Sequence, residues 1–263
     1  MCFLVFAFKA HPAYKLILAA NRDEYYDRPS EPASWWQTTS QVLSGKDLKA
    51  GGTWLGITKN GRIGAVTNFR DPKRVKPSAP SRGLLVTEFL LGDLDPGGFL
   101  DKLKVRADQY NGFNLVVGVP DELFWYSNLR SDFRRLEPGV YGLSNHFLDT
   151  PWPKVLRGKK LLSRIMRNGS EISPERLFGM LADQRTPEDT ELPNTGVGLE
   201  WERTLSPIFI TSPDYGTRCS TIILIDNKNR TTLMEKTFDR NTDRAECRKY
   251  EFQIGGNDLN LEK

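Results

Sequence analysis

Histidine is nearly absent from this chain: His11 and His146 are the two among 263 residues. A Ser-His-Asp or Cys-His catalytic system would have to use one of these imidazoles, so nucleophilic chemistry here calls for another proton acceptor. Cysteine is almost as scarce, with Cys2, Cys219 and Cys247. An odd count in a long chain without an export signal argues against a disulfide framework, and no pair has the close spacing of a zinc knuckle. Long apolar runs are missing too. The opening run, Phe3 to Phe8, is cut by Lys9. It is far short of the ~20 residues of a membrane helix and lacks the basic lead-in of a signal peptide. Nor does one sign of charge dominate. Lys and Arg number 37 against 33 Asp and Glu, a formal +4, without the dense basic stripe of a nucleic-acid reader. These absences predict a cytoplasmic protein with no metal site, no membrane span and no nucleic-acid partner.

What is present suffices for a large core. The chain is 38% apolar and 27% charged, close to the globular average of about 25% charged. A compact chain of this length buries roughly three quarters of its unfolded surface without help from metal or disulfide. No linker-like composition break and no internal repeat is visible, which predicts one domain over residues 1–263.

Periodicity predicts the elements. Cys2 to Phe8 is apolar at both even and odd positions, the pattern of a strand covered on both faces. A turn at His11-Pro12 leads to a second strand, Lys15 to Ala20, which Asn21-Arg22-Asp23-Glu24 terminates. Residues 25–50 read as a long surface loop. Strands over 53–58 and 62–68 flank Asn60-Gly61, a strong hairpin signal. After a basic, Pro-bearing loop at 70–81, helical spacing covers 81–91 and 99–110. Strands are predicted at 113–119, 122–127 and 140–143, helices at 153–167 and 174–183, and extended segments at 207–211, 218–226, 230–238 and 249–254. Hairpin-linked strands give mostly antiparallel sheets, and doubly buried strands need cover on both faces. The expected fold class is therefore α+β, a four-layer α/β/β/α sandwich with helix pairs outside two packed sheets.

Cys2 directly follows the initiator methionine. Removal of Met1 would give one residue both a thiol of pKa about 8.5 and an α-amine of about 7.7–8.0. Nucleophile and base would then share a residue, which answers the shortage of histidine. A small apolar residue opening a core strand accounts for the same position.

The opening Met-Cys-Phe, together with Asn21-Arg22-Asp23-Glu24, resembles the NRDE (transport and Golgi organization protein 2-like) family, named after those four residues. Gly51-Gly52-Thr53-Trp54-Leu55-Gly56, Thr67-Asn68-Phe69-Arg70, Leu143-Ser144-Asn145 and Tyr215-Gly216-Thr217-Arg218 extend the likeness along most of the chain. The family's layout is similar to N-terminal nucleophile cysteine hydrolases such as penicillin V acylase and bile salt hydrolase, which implies the same four-layer sandwich. Carried over, the resemblance implies that Arg22 and Asp23 surround Cys2, with Asp23 orienting its α-amine. It also implies that Asn68 donates to an oxyanion, that Asn145 binds the α-amine or oxyanion, and that Arg218 completes the polar cluster. Acyl transfer builds negative charge on a carbonyl oxygen, and preorganised donors stabilise it. One departure stands out. The acylases space their arginine three residues before the aspartate, whereas Arg22 and Asp23 are adjacent. Strand neighbours face opposite ways, so both reach Cys2 only if the strand has ended, and Arg22 reads equally as a partner for Glu24 or for another carboxylate.

Asn21, which shares the parity of Asp23, is a further pocket candidate. Trp54, Phe69 and His146 complete the expected substrate-binding set, although Trp35, Trp36 and Trp54 also suit ordinary packing. His146 is in addition a candidate haem ligand. The basic residues Lys154, Arg157, Lys159, Lys160, Arg164 and Arg167 read as the solvated face of an outer helix, and Cys219 and Cys247 as unpaired core or near-core thiols. Two functions follow. The leading one is an amidohydrolase that cleaves an amide or related acyl bond and requires no cofactor. The alternative is a non-catalytic protein binding haem or an acyl lipid in the same pocket. Oligomeric state is not read from the sequence.

Overall fold

The structure is a computed structural model that describes residues 2–39, 41–167, 171–239 and 245–256. Met1 and the side chain of Cys2 lie outside the described residues, and so does the candidate thiol. The chain opens with β1 (Cys2–Phe8), β2 (Tyr14–Tyr25), β3 (Ser30–Trp35), β4 (Val42–Asp47), β5 (Leu55–Thr58) and β6 (Ile63–Asn68). Helices α1 (Gly83–Leu91) and α2 (Pro96–Lys104) precede β7 (Phe113–Val119), β8 (Glu122–Ser127), β9 (Arg134–Arg135) and β10 (Gly139–Leu143). Then come α3 (Pro153–Met166), α4 (Pro174–Leu181) and α5 (Leu199–Thr204), followed by β11 (Tyr215–Asp226), β12 (Arg230–Phe238) and β13 (Ala245–Gln253).

The strands form two antiparallel sheets. One has the order β10-β1-β2-β11-β12-β13; the other runs in chain order from β3 to β9. Strand alternation sorts the side chains. Leu4, Phe6 and Phe8 of β1 and Leu16, Leu18 and Ala20 of β2 pack between the sheets against Leu55, Ile57, Ile63 and Val116. Phe3, Val5, Ala7, Ile17 and Ala19 face Leu162, Leu177 and Leu181 of α3 and α4. On the far side, α1 and α2 bury Leu85, Phe89, Phe99 and Leu103 against Phe113, Leu115 and Val117 of β7. The result is the α/β/β/α sandwich, with each central strand apolar on both faces because both are covered. Local signals set the element ends. Asp95 and Ser173 cap α2 and α4, each followed by a proline in the first turn, where its missing N–H costs nothing. Gly61 takes φ +87° in the β5–β6 turn, a conformation that favours glycine.

Three expectations are corrected. β2 does not end at Ala20 but continues to Tyr25, its polar tail paired with β11. The segment 25–50 is not one loop, because it contains β3 and β4. β3 is an edge strand whose pairing shifts between Glu31 and Ser34, around Pro32, which hid its alternation. The stretch 207–211 makes only an isolated bridge, Thr211 to Gly216. The short helix α5 was not foreseen.

Candidate functional site

In register, Cys2 stands opposite Arg22, and Arg22 stands opposite Cys219 on β11. The tail of β2 keeps its alternation. Arg22 therefore continues the inter-sheet row of Leu16, Leu18 and Ala20, whereas Asn21 and Asp23 continue the row that faces the helices. The strand has not ended at the Arg-Asp pair, and the two side chains diverge.

Arg22 is 4% exposed. Its guanidinium lies 4.3 Å from the ring of Trp54, with Ser30 Oγ at 3.4 Å and Asp47 at 3.7 Å. None of these is a short charge-assisted bond, so a buried fork of donors holds only loose partners among the described residues. Asp47 is more tightly engaged by Arg28 at 2.8 Å, and Arg28 also approaches Glu24 at 3.7 Å. Trp54 fits here because residue 45 is glycine. A Cβ on Gly45 would stand 2.4 Å from the Trp54 ring.

These groups border a cavity of about 500 Å³ whose walls include Arg22, Asp23, Glu24, Trp54, Asn68 and Arg82. Asn68 ends β6. Its carbonyl accepts from Asn145, while its side-chain amide makes no hydrogen bond among the described residues. Asp23 is 1% exposed and accepts from Thr217 Oγ1 at 2.7 Å. Tyr215 donates its hydroxyl to the Asp23 carbonyl at 2.9 Å. Burial lifts the Asp23 carboxyl to about 6, against the opposing pull of Lys154 and the Thr217 hydrogen bond. The cavity walls thus include Arg22, Asp23, Asn68 and Trp54 near the register position of Cys2, with the Asp23 carboxylate turned to Thr217 on the helix-facing side.

The other sequence candidates are placed elsewhere. Asn21 does not face the cavity. It donates to the carbonyls of Leu181 and Ile208 at 2.9 and 2.8 Å and accepts from Ser220 at 2.6 Å, stitching the sheet to the helical layer. Asn145 does not line the cavity, and its amide nitrogen donates one hydrogen bond to the Asn68 carbonyl at 3.0 Å. Arg218 falls in a bulge of β11, between Thr217 and Cys219. From there it donates to the carbonyls of Tyr25 and Arg28 at 2.8 and 3.0 Å, bracing the β2–β3 turn. Burial, then the like charge of Arg22, hold its guanidinium below its ordinary pKa.

Phe69 and His146 pack on each other at 4.8 Å, in a cluster with Phe147 and Trp152. Phe69 lines a second cavity of about 550 Å³, and His146 lines neither this one nor the first. The His146 Nδ1 is bonded to Thr150 Oγ1 at 2.8 Å, and burial followed by Arg130 lowers its pKa. The imidazole is half-buried among these rings and lines neither cavity. The basic face of α3 is also partly internal. Lys154 is buried on the Leu205 carbonyl at 2.8 Å, Arg157 pairs with Asp183, and Lys159 pairs with Asp149 at 2.6 Å. Cys219 is buried and Cys247 exposed.

Sequence reasoning missed Arg28, Asp47, Arg70 and Glu202. The first two lie in the segment read as loop. Arg70 belongs to a quoted motif but had no role, and its partner Glu202, at 2.6 Å, is too distant in the chain for any local pattern to reveal.

A family model described as Transport and Golgi organisation 2 matches residues 1–240. The Transport and Golgi organization 2 homolog of Mus musculus is 38% identical over 275 residues, covering 97% of this chain and 99% of that protein. The Transport and Golgi organization protein 2 of Drosophila melanogaster is 29% identical, covering 90% and 92%. Among solved structures, the mutant C2A conjugated bile acid hydrolase from Clostridium perfringens matches with TM-score 0.51 at 10% identity, covering 99% of this chain and all of that one. At that identity the likeness is one of fold.

Proposed function

The chain belongs to the Transport and Golgi organisation 2 family, and from its cavity we propose that it is an N-terminal nucleophile hydrolase cleaving an amide or related acyl bond. The observation that carries this reading is the register of Cys2 against Arg22 at a cavity whose walls also include Asp23 and Asn68. Once Met1 is removed, the α-amine of Cys2 takes the thiol proton and the thiolate attacks the acyl carbonyl. The unengaged amide of Asn68 and the loosely held guanidinium of Arg22 are the donors for the oxyanion. The amine then returns its proton to the leaving group, and water releases the acyl group from the thioester. The fold neighbour is a conjugated bile acid hydrolase crystallised as a C2A mutant, which supports a role for a cysteine at this end of the chain.

The cavity walls carry Arg22, Arg28, Lys49 and Arg82 beside Asp23, Glu24 and Asp47, with Trp54 as the aromatic side chain. This polar lining supports a small polar acyl compound over haem or a bulky lipid. The direct experiment is a screen of acyl amides and esters with the wild type and Cys2→Ala side by side. Turnover confined to the wild type supports the reading. Equal rates, or no turnover of any substrate by either, would reject it.

A further inference from the structure

A chain of buried hydrogen bonds runs from α5 to the backbone of Asn68. Glu202 accepts from Arg70 Nη1 at 2.6 Å, and both side chains are 4% exposed. Arg70 Nη2 donates to Asn145 Oδ1 at 3.5 Å, the longest link. Asn145 Nδ2 donates to the Asn68 carbonyl at 3.0 Å. The main chain doubles the connection, because the Arg70 N–H donates to the Asn145 carbonyl at 2.7 Å. The second oxygen of Glu202 is held by the Thr195 N–H and hydroxyl at 2.8 and 2.6 Å. Trp152 covers the guanidinium, its ring 4.9 Å away.

None of Glu202, Arg70 or Asn145 lines the 500 Å³ cavity, yet the chain ends on a residue that does. We propose that Glu202, acting through Arg70 and Asn145, is a positioning residue that sets the direction of the Asn68 side-chain amide into the cavity. The inference rests on the reading of Asn68 as an oxyanion donor. Its physical basis is the cost of the pair. Two desolvated charges are a poor way to gain stability when apolar side chains of similar volume would fill the space. Their linked geometry, by contrast, holds a fixed orientation, even though the buried Arg70 Nε has no hydrogen-bond partner among the described residues. The carbonyl of Asn68 is pinned by Asn145, and Asn145 is pinned at its oxygen by Arg70 and by Ser144 Oγ at 3.3 Å. An oxyanion donor loses effect when it is misdirected by less than an ångström, so such support acts on the transition state and not on fold stability.

The test uses the full chain carrying Arg70→Met together with Glu202→Leu, which replaces the pair with apolar side chains and leaves no lone buried charge. The readout is the side-chain amide signal of Asn68 in nitrogen–proton NMR spectra, assigned by its loss in Asn68→Asp. The double variant is expected to fold cooperatively with the Asn68 signal displaced or broadened and that of the remote Asn227 unchanged. Leu177→Ala, a destabilising change in the α4 layer, is the control that leaves Asn68 in place. Asn145→Ser removes the donor to Asn68 together with the oxygen that Arg70 and Ser144 hold, and is expected to displace the same signal, whether or not the double variant folds. If hydrolysis is found, kcat of the double variant falls by about tenfold with KM unchanged. An Asn68 signal unmoved in Asn145→Ser, or moved equally by Leu177→Ala, overturns the proposal. The amide signal needs no turnover, so a failed substrate screen rejects the hydrolase reading while this result stands or falls separately.

Discussion

Arg22 and Trp54 meet across the two sheets, the guanidinium 4.3 Å from the indole ring. The arginine belongs to the tail of β2 and the tryptophan precedes β5. The stack therefore ties the two sheets together at the wall of the cavity. A planar guanidinium both stacks and presents a fork of donors, which a lysine ammonium cannot do. Arg22→Lys is therefore expected to lower kcat/KM for a cleaved acyl substrate by roughly 10–100-fold although the charge is kept. Steady-state kinetics beside a thermal melt checks this; retention within a factor of about two would show that charge alone suffices.

Asp23 ties stability to pH. Its carboxyl protonates at about 6 in the fold, against 3.8 for the unperturbed group, chiefly because it is buried. The folded state binds more protons than the unfolded chain between these values. This group's contribution is complete below about pH 4 and is lost as pH rises through about 6. The gap corresponds to up to about 3 kcal/mol. Asp23→Asn is expected to be the more stable protein at about pH 8, less the attraction to Lys154 and to the N-terminal amine that it forfeits, and to have no such advantage at about pH 3.5. Urea unfolding at the two pH values measures the difference; an advantage equal at both would contradict the assignment.

Asn68→Ala should separate rate from binding. A donor that acts on a developing oxyanion contributes on the order of 100-fold to kcat and little to KM. The expected result is a large fall in kcat with KM within about threefold. A raised KM at unchanged kcat would make Asn68 a ground-state contact.

The Arg70–Glu202 pair offers a stability test that needs no substrate. Arg70→Met alone leaves Glu202 buried without its counter-charge and is expected to cost about 3–5 kcal/mol. Adding Glu202→Leu removes the stranded charge, and the double variant is expected to recover most of the loss. Denaturant midpoints of the three proteins check this, and a double variant less stable than Arg70→Met would contradict it.

The layers were legible because apolar burial writes itself into local pattern. Cys2–Phe8, Phe113–Val119, Glu122–Ser127 and Arg230–Phe238 are strands with the expected limits. What escaped was decided by distant partners. Asn21, Arg22 and Asp23 read as a strand end because they are polar. They remain in β2 because Leu181, Ile208, Trp54 and Thr217 satisfy them from elsewhere in the chain. Divergence of Arg22 and Asp23 followed from alternation once the strand was known to continue. The roles of Asn145 and Arg218 could not be read from residue type, since an asparagine or arginine serves a ligand and a backbone carbonyl equally well. Whether the donors are already spent is a property of the fold.

The central claim concerns the first thiol and its own amine. Purified protein is given an acyl amide, quenched in acid within its first turnover, digested and weighed peptide by peptide. The expected N-terminal peptide begins at Cys2 and carries the mass of the acyl group, and Cys2→Ala carries none. Met1 still attached, or acyl mass found on Cys219 or Cys247 instead, would contradict it.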